Sequence, residues 1–148
     1  MKYFTINELT ASPTAKRLGI SNKPTADITA SLERLVNNVL DPLREAWGAP
    51  IVVTSGYRSV RLNKAVGGAK SSQHCYGQAA DIRTVSDLPE DNRRLRDLLI
   101  HLGLPYDQLI DEYGCDWLHV SYRASGNRGQ LLTAKRVKGK TVYIPGIK

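Results

Sequence analysis

Two histidines and one aspartate, His74, Asp81 and His119, are the residues of this sequence whose types best fit a metal site. An unpaired buried carboxylate is costly, whereas a carboxylate that binds a divalent cation together with imidazoles is satisfied. Either histidine alone is more often a hydrogen-bonded residue than a ligand. Together with Asp81 they form a recurrent set for catalytic zinc, which leaves a fourth position open for water. We therefore predict one Zn²⁺ ion at these three residues.

A carboxylate close to His119 could act as general base and take a proton from this water, whose pKa zinc lowers to roughly 7. Asp116 lies three residues before His119, and the spacing favours it for this role. Glu112, four residues further back, is the alternative. Arg58 follows a short apolar run, where its guanidinium could meet an oxyanion or a substrate carboxylate.

The segments around these residues predict the elements that position them. Apolar residues at a spacing of three and four predict a helix from Ile28 to Trp47, which Pro42 should kink or split near Leu40. A second helix is predicted from Pro89 to about Leu102. Besides a short strand at Asp81, strands are predicted in four places: Ile51 to Thr54, Gln108 to Asp111, Trp117 to Tyr122 and Leu131 to Pro145. The last of these contains a hairpin turn at Lys138-Gly139.

Alternation along the strands places the chemical groups on one side. Asp81 shares a face of a short strand with the small residue Ala79, which leaves room beside the carboxylate. His119 shares a face with Trp117 and Ser121, away from the apolar residues of that strand. These elements predict an α+β fold in a single domain that spans residues 1–148.

Composition agrees with a folded protein: of 148 residues, 41% are hydrophobic and 24% are charged. The net charge of +7, with clusters at Arg93 to Arg96 and at Lys135 to Lys140, would suit any polyanion and does not choose among them.

Cys75 and Cys115 are too few for a disulfide framework, and we expect free buried thiols. The N-terminus lacks the apolar core of a secretory signal, so we expect synthesis in the cytoplasm.

The pattern Ser-x-His-x-x-Gly-x-Ala-x-Asp from Ser72 to Asp81, followed by Asp116-x-x-His119, resembles the zinc D,D-peptidases of the M15 family. The segments Ser55-Gly56-Tyr57-Arg58-Ser59 and Trp117-Leu118-His119-Val120 extend this resemblance over most of the chain. It implies zinc on His74, Asp81 and His119, a base at Asp116, substrate held or polarised by Arg58, and Ser72 in the pocket. It also implies a small α+β domain with a central antiparallel sheet, shared with the Hedgehog signalling domain.

The resemblance further implies hydrolysis of peptide bonds in the stem peptides of bacterial peptidoglycan. Many carboxypeptidase and dipeptidase members have Glu at the base position, whereas Asp there, like the opening Tyr3 to Leu9, is similar to phage endolysins. An endolysin is therefore predicted, which acts on the wall after release by a holin or another route. We expect a monomer that neither inserts into a membrane nor binds nucleic acid, for which no motif or aromatic stacking run is present.

Two alternatives remain open. One is a D-alanyl-D-alanine carboxypeptidase or dipeptidase that remodels the wall. The other is a catalytically silent, zinc-stabilised module that binds the wall or belongs to a phage particle. An acid at Asp116 argues against the silent module, because a purely structural zinc site needs no base.

Overall fold

A computed structural model describes residues 1–146 of the chain. It begins with two short helices that were not predicted from the sequence, α1 (Ile6–Thr10) and α2 (Pro13–Leu18). The side chain of Thr5 caps α1 by accepting a hydrogen bond from the Glu8 backbone nitrogen, and Ser12 caps α2 in the same way. Their apolar patterns are too short to give a clear helical period.

The helix predicted from Ile28 to Trp47 forms as three consecutive segments. They are α3 (Ala26–Leu35), a π-helical turn (Val36–Leu40) and α4 (Asp41–Trp47). Pro42 lies in the first turn of α4, where its missing N–H and its ring are accommodated by the wider preceding turn. The predicted split near Leu40 is thus confirmed.

The remaining helices and strands follow in chain order. They are β1 (Ile51–Ser55), α5 (Val60–Ala65), a 3₁₀ turn (Gln73–Tyr76), β2 (Ala79–Thr84), α6 (Pro89–His101), β3 (Gln108–Glu112), β4 (Trp117–Ser121), β5 (Gln130–Val137) and β6 (Lys140–Pro145). The second helix and the predicted strands are confirmed to within one or two residues at their ends. α5 and the 3₁₀ turn were not predicted.

The six strands form one sheet in the order β1-β2-β4-β3-β5-β6. Every neighbouring pair is antiparallel except β3 and β5, which run parallel. The α+β class is therefore confirmed, and the expected antiparallel sheet is in fact mixed at this one pair. β5 and β6 meet at Lys138 and Gly139, whose φ angles of 51° and 78° form the two-residue hairpin turn that the sequence predicts.

The main apolar core lies on one face of the sheet. Helices α3, α4 and α6 cover this face, and their buried leucines pack on Ile82, Leu118 and Val120 of the central strands. The opposite face carries the alternate residues of the same strands. Because side chains alternate along a strand, burial of one set leaves the other set, including Asp81 and His119, on the uncovered face.

No helix within residues 1–146 is long and apolar enough to cross a membrane. Both cysteines are free thiols, as expected, although Cys115 is buried and Cys75 only half-buried.

Candidate active site

His74 is held in the 3₁₀ turn by contacts on both its backbone and its ring. The hydroxyl of Ser72 accepts a hydrogen bond from the His74 backbone nitrogen at 3.2 Å. The ring is buried, and its Nδ1 lies 2.6 Å from the carbonyl oxygen of Gly56, to which it donates. Since a neutral imidazole has a single N–H, this bond leaves the lone pair on Nε2, which faces Asp81.

Gly56 can occupy this position only because it lacks a side chain. A Cβ there would lie 2.1 Å from the carbonyl oxygen of Leu9, at the end of α1. The same Leu9 oxygen accepts a hydrogen bond from the backbone of Tyr57. The N-terminal helix thus fixes the loop after β1, and that loop orients the ring of His74.

Asp81 and His119 are brought together by strand pairing, since they are register partners on β2 and β4. Oδ1 of Asp81 lies 3.3 Å from Nε2 of His74 and 3.2 Å from Nδ1 of His119. The two imidazole rings meet edge to face, with 5.1 Å between their centroids. The three ligand atoms all lie within 4.8 Å of one another, so the structure brings together the residues predicted to bind zinc.

The spacing and charge of these donors fit zinc. In a tetrahedral site with bonds of about 2.1 Å, neighbouring ligand atoms are separated by about 3.4 Å, close to the two nitrogen–oxygen distances here. Burial lowers the pKa of His74, despite the opposing effect of Asp81. Burial alone would raise the pKa of Asp81, but the hydrogen bond with His119 and the proximity of His74 hold it well below its usual range. Both groups therefore favour their deprotonated, metal-binding forms.

Arg58 leaves the end of β1 and reaches the same site. Its backbone nitrogen donates to the carbonyl oxygen of His74 at 3.1 Å, and its guanidinium lies against Gly68, where a Cβ would be 3.1 Å from Nη1. Nε of Arg58 is buried and has no hydrogen-bond acceptor within residues 1–146. Buried donors are normally paired, so this guanidinium retains capacity for a ligand.

The two candidate bases lie in different places. Asp116 is exposed in the turn between β3 and β4 and is not among the residues that line the cleft. Glu112, at the end of β3, is 8% exposed and lines the cleft together with the three predicted ligands. Its register partner is Trp117, which shares the face of His119. Glu112, the alternative base, therefore lies in the cleft with the metal residues, whereas Asp116 remains a prediction that rests on its spacing to His119.

The surroundings of Glu112 favour its protonated form in the metal-free protein. Burial raises its pKa to about 7, and the negative charges of Asp81 and Asp111 add to this effect while His119 opposes it. A carboxylate with a pKa near the working pH can both accept and release a proton.

The cleft has a volume of about 1010 Å³ and crosses the uncovered face of the sheet. From the metal residues it passes over Ile110 and Leu132 to Tyr143 on the edge strand β6. From β4 to β6 this path crosses three strand spacings, or roughly 14 Å, about the length of four residues of an extended chain. Ser72 also lines this cleft.

Two further arginines line the cleft, and they differ in their partners. Arg128 is paired with Asp107, a fully buried carboxylate that accepts from its Nε and Nη2 at 3.0 Å and 2.8 Å. Arg136 lies over the ring of Tyr113, 5.4 Å from its centroid, and forms no ion pair within the described chain. The positive charge of Arg128 is thus largely neutralised inside the protein, whereas that of Arg136 is not.

The sequence contained a signal for Glu112 that spacing to His119 alone did not reveal. A turn of four residues between β3 and β4 pairs Glu112 with Trp117, and alternation then puts Glu112, Trp117 and His119 on one face. Asp116, one residue before Trp117, falls outside this alternation. Arg136 and Tyr143 come from the distant end of the chain, and no local pattern places them at the site.

Comparison with known proteins agrees with this geometry. The peptidase M15 family matches residues 2–121, which include Arg58, Glu112 and all three metal residues. A zinc D-Ala-D-Ala carboxypeptidase from Streptomyces albus G is 52% identical over 44 residues, which are 29% of this chain and 17% of that protein. The chain therefore spans less than a fifth of that relative's length. The family and the His-Asp-His donor set confirm the predicted zinc cofactor. The match over most of its length shows that the chain belongs to the peptidase M15 family.

Proposed function

We propose that this protein is a zinc-dependent peptidase that hydrolyses peptide bonds in peptidoglycan stem peptides. The observation that supports this most strongly is the position of Glu112, on the same face and in the same cleft as His74, Asp81 and His119. A structural zinc site has no use for a buried carboxylate in an open cleft beside the metal residues. The catalytically silent module is therefore the weaker alternative.

In this proposal His74, Asp81 and His119 hold the zinc ion, which supplies Lewis acidity toward a water molecule and the scissile carbonyl. Glu112 accepts a proton as the oxygen of the water bonds to the carbonyl carbon. The carbon–nitrogen bond then breaks, and Glu112 gives the proton to the departing amine. The products are one carboxylic acid and one amine, and Glu112 returns to its ionised form.

Arg58 has a separate role, because its guanidinium carries an unpaired buried N–H beside His74. Donors fixed in a site of low polarity stabilise the negative charge that develops on a carbonyl oxygen or hold a substrate carboxylate. Ser72 acts indirectly, through its hydrogen bond to the His74 backbone.

The bond that is cut is proposed to lie within the stem peptide, as in an endolysin. The length of the cleft supports this proposal, since about four extended residues fit between the metal residues and β6. A dipeptide would leave most of this cleft empty. The second candidate, removal of a terminal D-alanine, is favoured by the name of the Streptomyces relative and by a free guanidinium at Arg58, which could bind a terminal carboxylate.

The deciding experiment is mass spectrometry of the new termini released from purified peptidoglycan. We expect the zinc-loaded protein to release fragments cut within the stem, and chelation to stop their release. Glu112→Gln should lower kcat at least about 100-fold with little change in zinc affinity, because it removes the base but none of the ligands. Release of single D-alanine residues alone would establish the carboxypeptidase instead.

Asp116→Asn is the matched control, since it makes the same chemical change four residues away in an exposed turn. We expect its activity to remain within about threefold of the original protein, as for surface substitutions away from a site. A full loss with Asp116→Asn and activity retained with Glu112→Gln would overturn the assignment of the base.

A further inference from the structure

The net positive charge of this protein comes from the C-terminal part of the chain. Residues 1–116 contain 14 lysines and arginines and 14 aspartates and glutamates, so their charges cancel. Residues 117–148 contain seven lysines and arginines and no acid, which accounts for the entire net charge of +7. A charge division of this kind indicates an interaction with a polyanion through the C-terminal part.

Four of these cations lie on the β5–β6 hairpin, in a segment from residue 135 to 143 that we call the basic arm. Its cations are Lys135, Arg136, Lys138 and Lys140, and every residue of the arm is exposed. None of the four forms an ion pair within residues 1–146. The arm thus presents uncompensated positive charge to the solvent.

The basic arm is continuous with the proposed active-site cleft. Arg136, Thr141 and Tyr143 point to the cleft face of the sheet, where they form its far end. Lys135 and Val137 alternate with Arg136 and therefore lie on the other face. The hydroxyls of Thr141 and Tyr113 lie 2.6 Å apart, which ties the arm to the turn after Glu112. A polymer bound in the cleft would extend directly onto the arm.

We propose that the basic arm is a docking surface for polymeric peptidoglycan, which binds carboxylates of stem peptides next to the one being cut. The identity of the polymer rests on the proposed function. Each stem peptide carries free carboxylates, so a polymer offers a repeated array of anions that a single short peptide lacks. Guanidinium and ammonium groups that lack internal partners are suited to such carboxylates. Because all four cations are solvated, the interaction weakens as salt increases.

The test compares two variants that each remove three positive charges. The arm variant is Lys135→Gln/Lys138→Asn/Lys140→Gln, which spares the cleft residue Arg136; asparagine tolerates the left-handed backbone at position 138. The control variant is Lys16→Gln/Arg17→Gln/Lys23→Gln, at exposed positions in and after α2 that form no ion pair within the described residues. Both variants have a formal charge of +4.

Binding is measured by sedimenting chelated, inactive protein with purified sacculi. We expect the arm variant to bind about three- to thirtyfold more weakly at low salt, since each exposed ion pair contributes little alone. This difference should disappear at about 0.5 M salt, and the control variant should bind within about twofold of the original protein. Cleavage of a short soluble stem peptide should be unaffected in both variants.

Sacculi whose carboxyl groups have been converted to amides test the chemistry of recognition. We expect them to bind the original protein as weakly as untreated sacculi bind the arm variant. Equal binding of treated and untreated sacculi would overturn the proposal, as would an arm variant that binds like the original protein. An arm variant that binds duplex DNA more weakly but binds sacculi like the original protein would also overturn it. Because the protein is chelated, these results do not depend on whether it cuts the wall.

Discussion

At the scale of single residues, Glu112 is the group whose protonation is most affected by the fold. It lies almost completely buried at the end of β3, near the carboxylates of Asp81 and Asp111. Its pKa is raised from 4.5 to about 7. The unfolded chain lacks this environment, so between these two values the folded protein binds a proton that the unfolded chain has released.

This difference predicts how the stability of the metal-free protein changes with pH. Protonated Glu112 makes its full contribution to the free energy of unfolding below about pH 4.5. This contribution is lost as the pH rises through 7, because ionisation is harder in the folded state than in the unfolded chain. Glu112→Gln cannot ionise. We expect the free energy of unfolding of the variant to increase, relative to that of the original protein, by up to about 3 kcal/mol between pH 5 and pH 8. Urea unfolding of chelated protein at several pH values measures this gain.

Asp116→Asn provides the comparison, because Asp116 is exposed in the adjacent turn. A pH-dependent gain of the same size in both variants would mean that the effect comes from the charge of the turn and not from burial of Glu112. If Glu112→Gln instead lost stability relative to the original protein as the pH rose, Glu112 would be ionised and stabilised in the folded, metal-free protein.

At the scale of secondary structure, Asn92 joins three elements behind the site. It lies in α6 and is completely buried. Its Oδ1 accepts from the backbone nitrogen and the hydroxyl of Thr84, at the end of β2, at 2.9 Å and 2.8 Å. Its Nδ2 donates to the carbonyl oxygens of Cys115 and Asp116, in the β3–β4 turn, at 2.8 Å and 3.2 Å. The strand of Asp81 and the turn after Glu112 are therefore fixed to one side chain.

Replacement of this side chain should destabilise the protein strongly. Asn92→Ala leaves the partner groups of Thr84 and Cys115 buried without these hydrogen bonds, and we expect a loss of about 2 to 4 kcal/mol in the free energy of unfolding. Asn37→Ala, at an exposed position in the π-helical turn, should change it by less than about 0.5 kcal/mol. Urea denaturation monitored by circular dichroism measures both. Similar small losses would show that the Asn92 contacts contribute little.

The elements that could be predicted from the sequence are those with a local signal. The period of the leucines in α6, the β-branched run of β1 and the Lys138-Gly139 turn each depend on neighbouring residues only. The metal residues could be predicted because two histidines and one carboxylate are a recurrent set for catalytic zinc. The place of Glu112 required the pairing register of β3 and β4, and the parallel pairing of β3 with β5 is a long-range contact. No local spacing specifies either.

At the scale of the whole molecule, the two faces of the sheet have separate roles, one in stability and the other in the proposed chemistry. One face is covered by the helices and contains the main apolar core, and the other contains the cleft, where Ile110, Leu132 and Ala134 form only a small apolar cluster. The three metal residues come from β2, β4 and the 3₁₀ turn on the cleft side. The core contains no metal ligand, so it can form before zinc binds.

This separation predicts that zinc stabilises the fold without being required for it. A chelated sample should keep its far-ultraviolet circular dichroism and unfold cooperatively. At a zinc concentration 1,000 times the dissociation constant, zinc should raise the free energy of unfolding by about 4 kcal/mol, which corresponds to an increase in Tm on the order of 10 °C. His119→Gln should remove this zinc-dependent increase, whereas His101→Gln, at an exposed position in α6, should retain it. Loss of secondary structure on chelation would instead mean that the metal organises the sheet itself, as it does in small zinc domains whose core is insufficient.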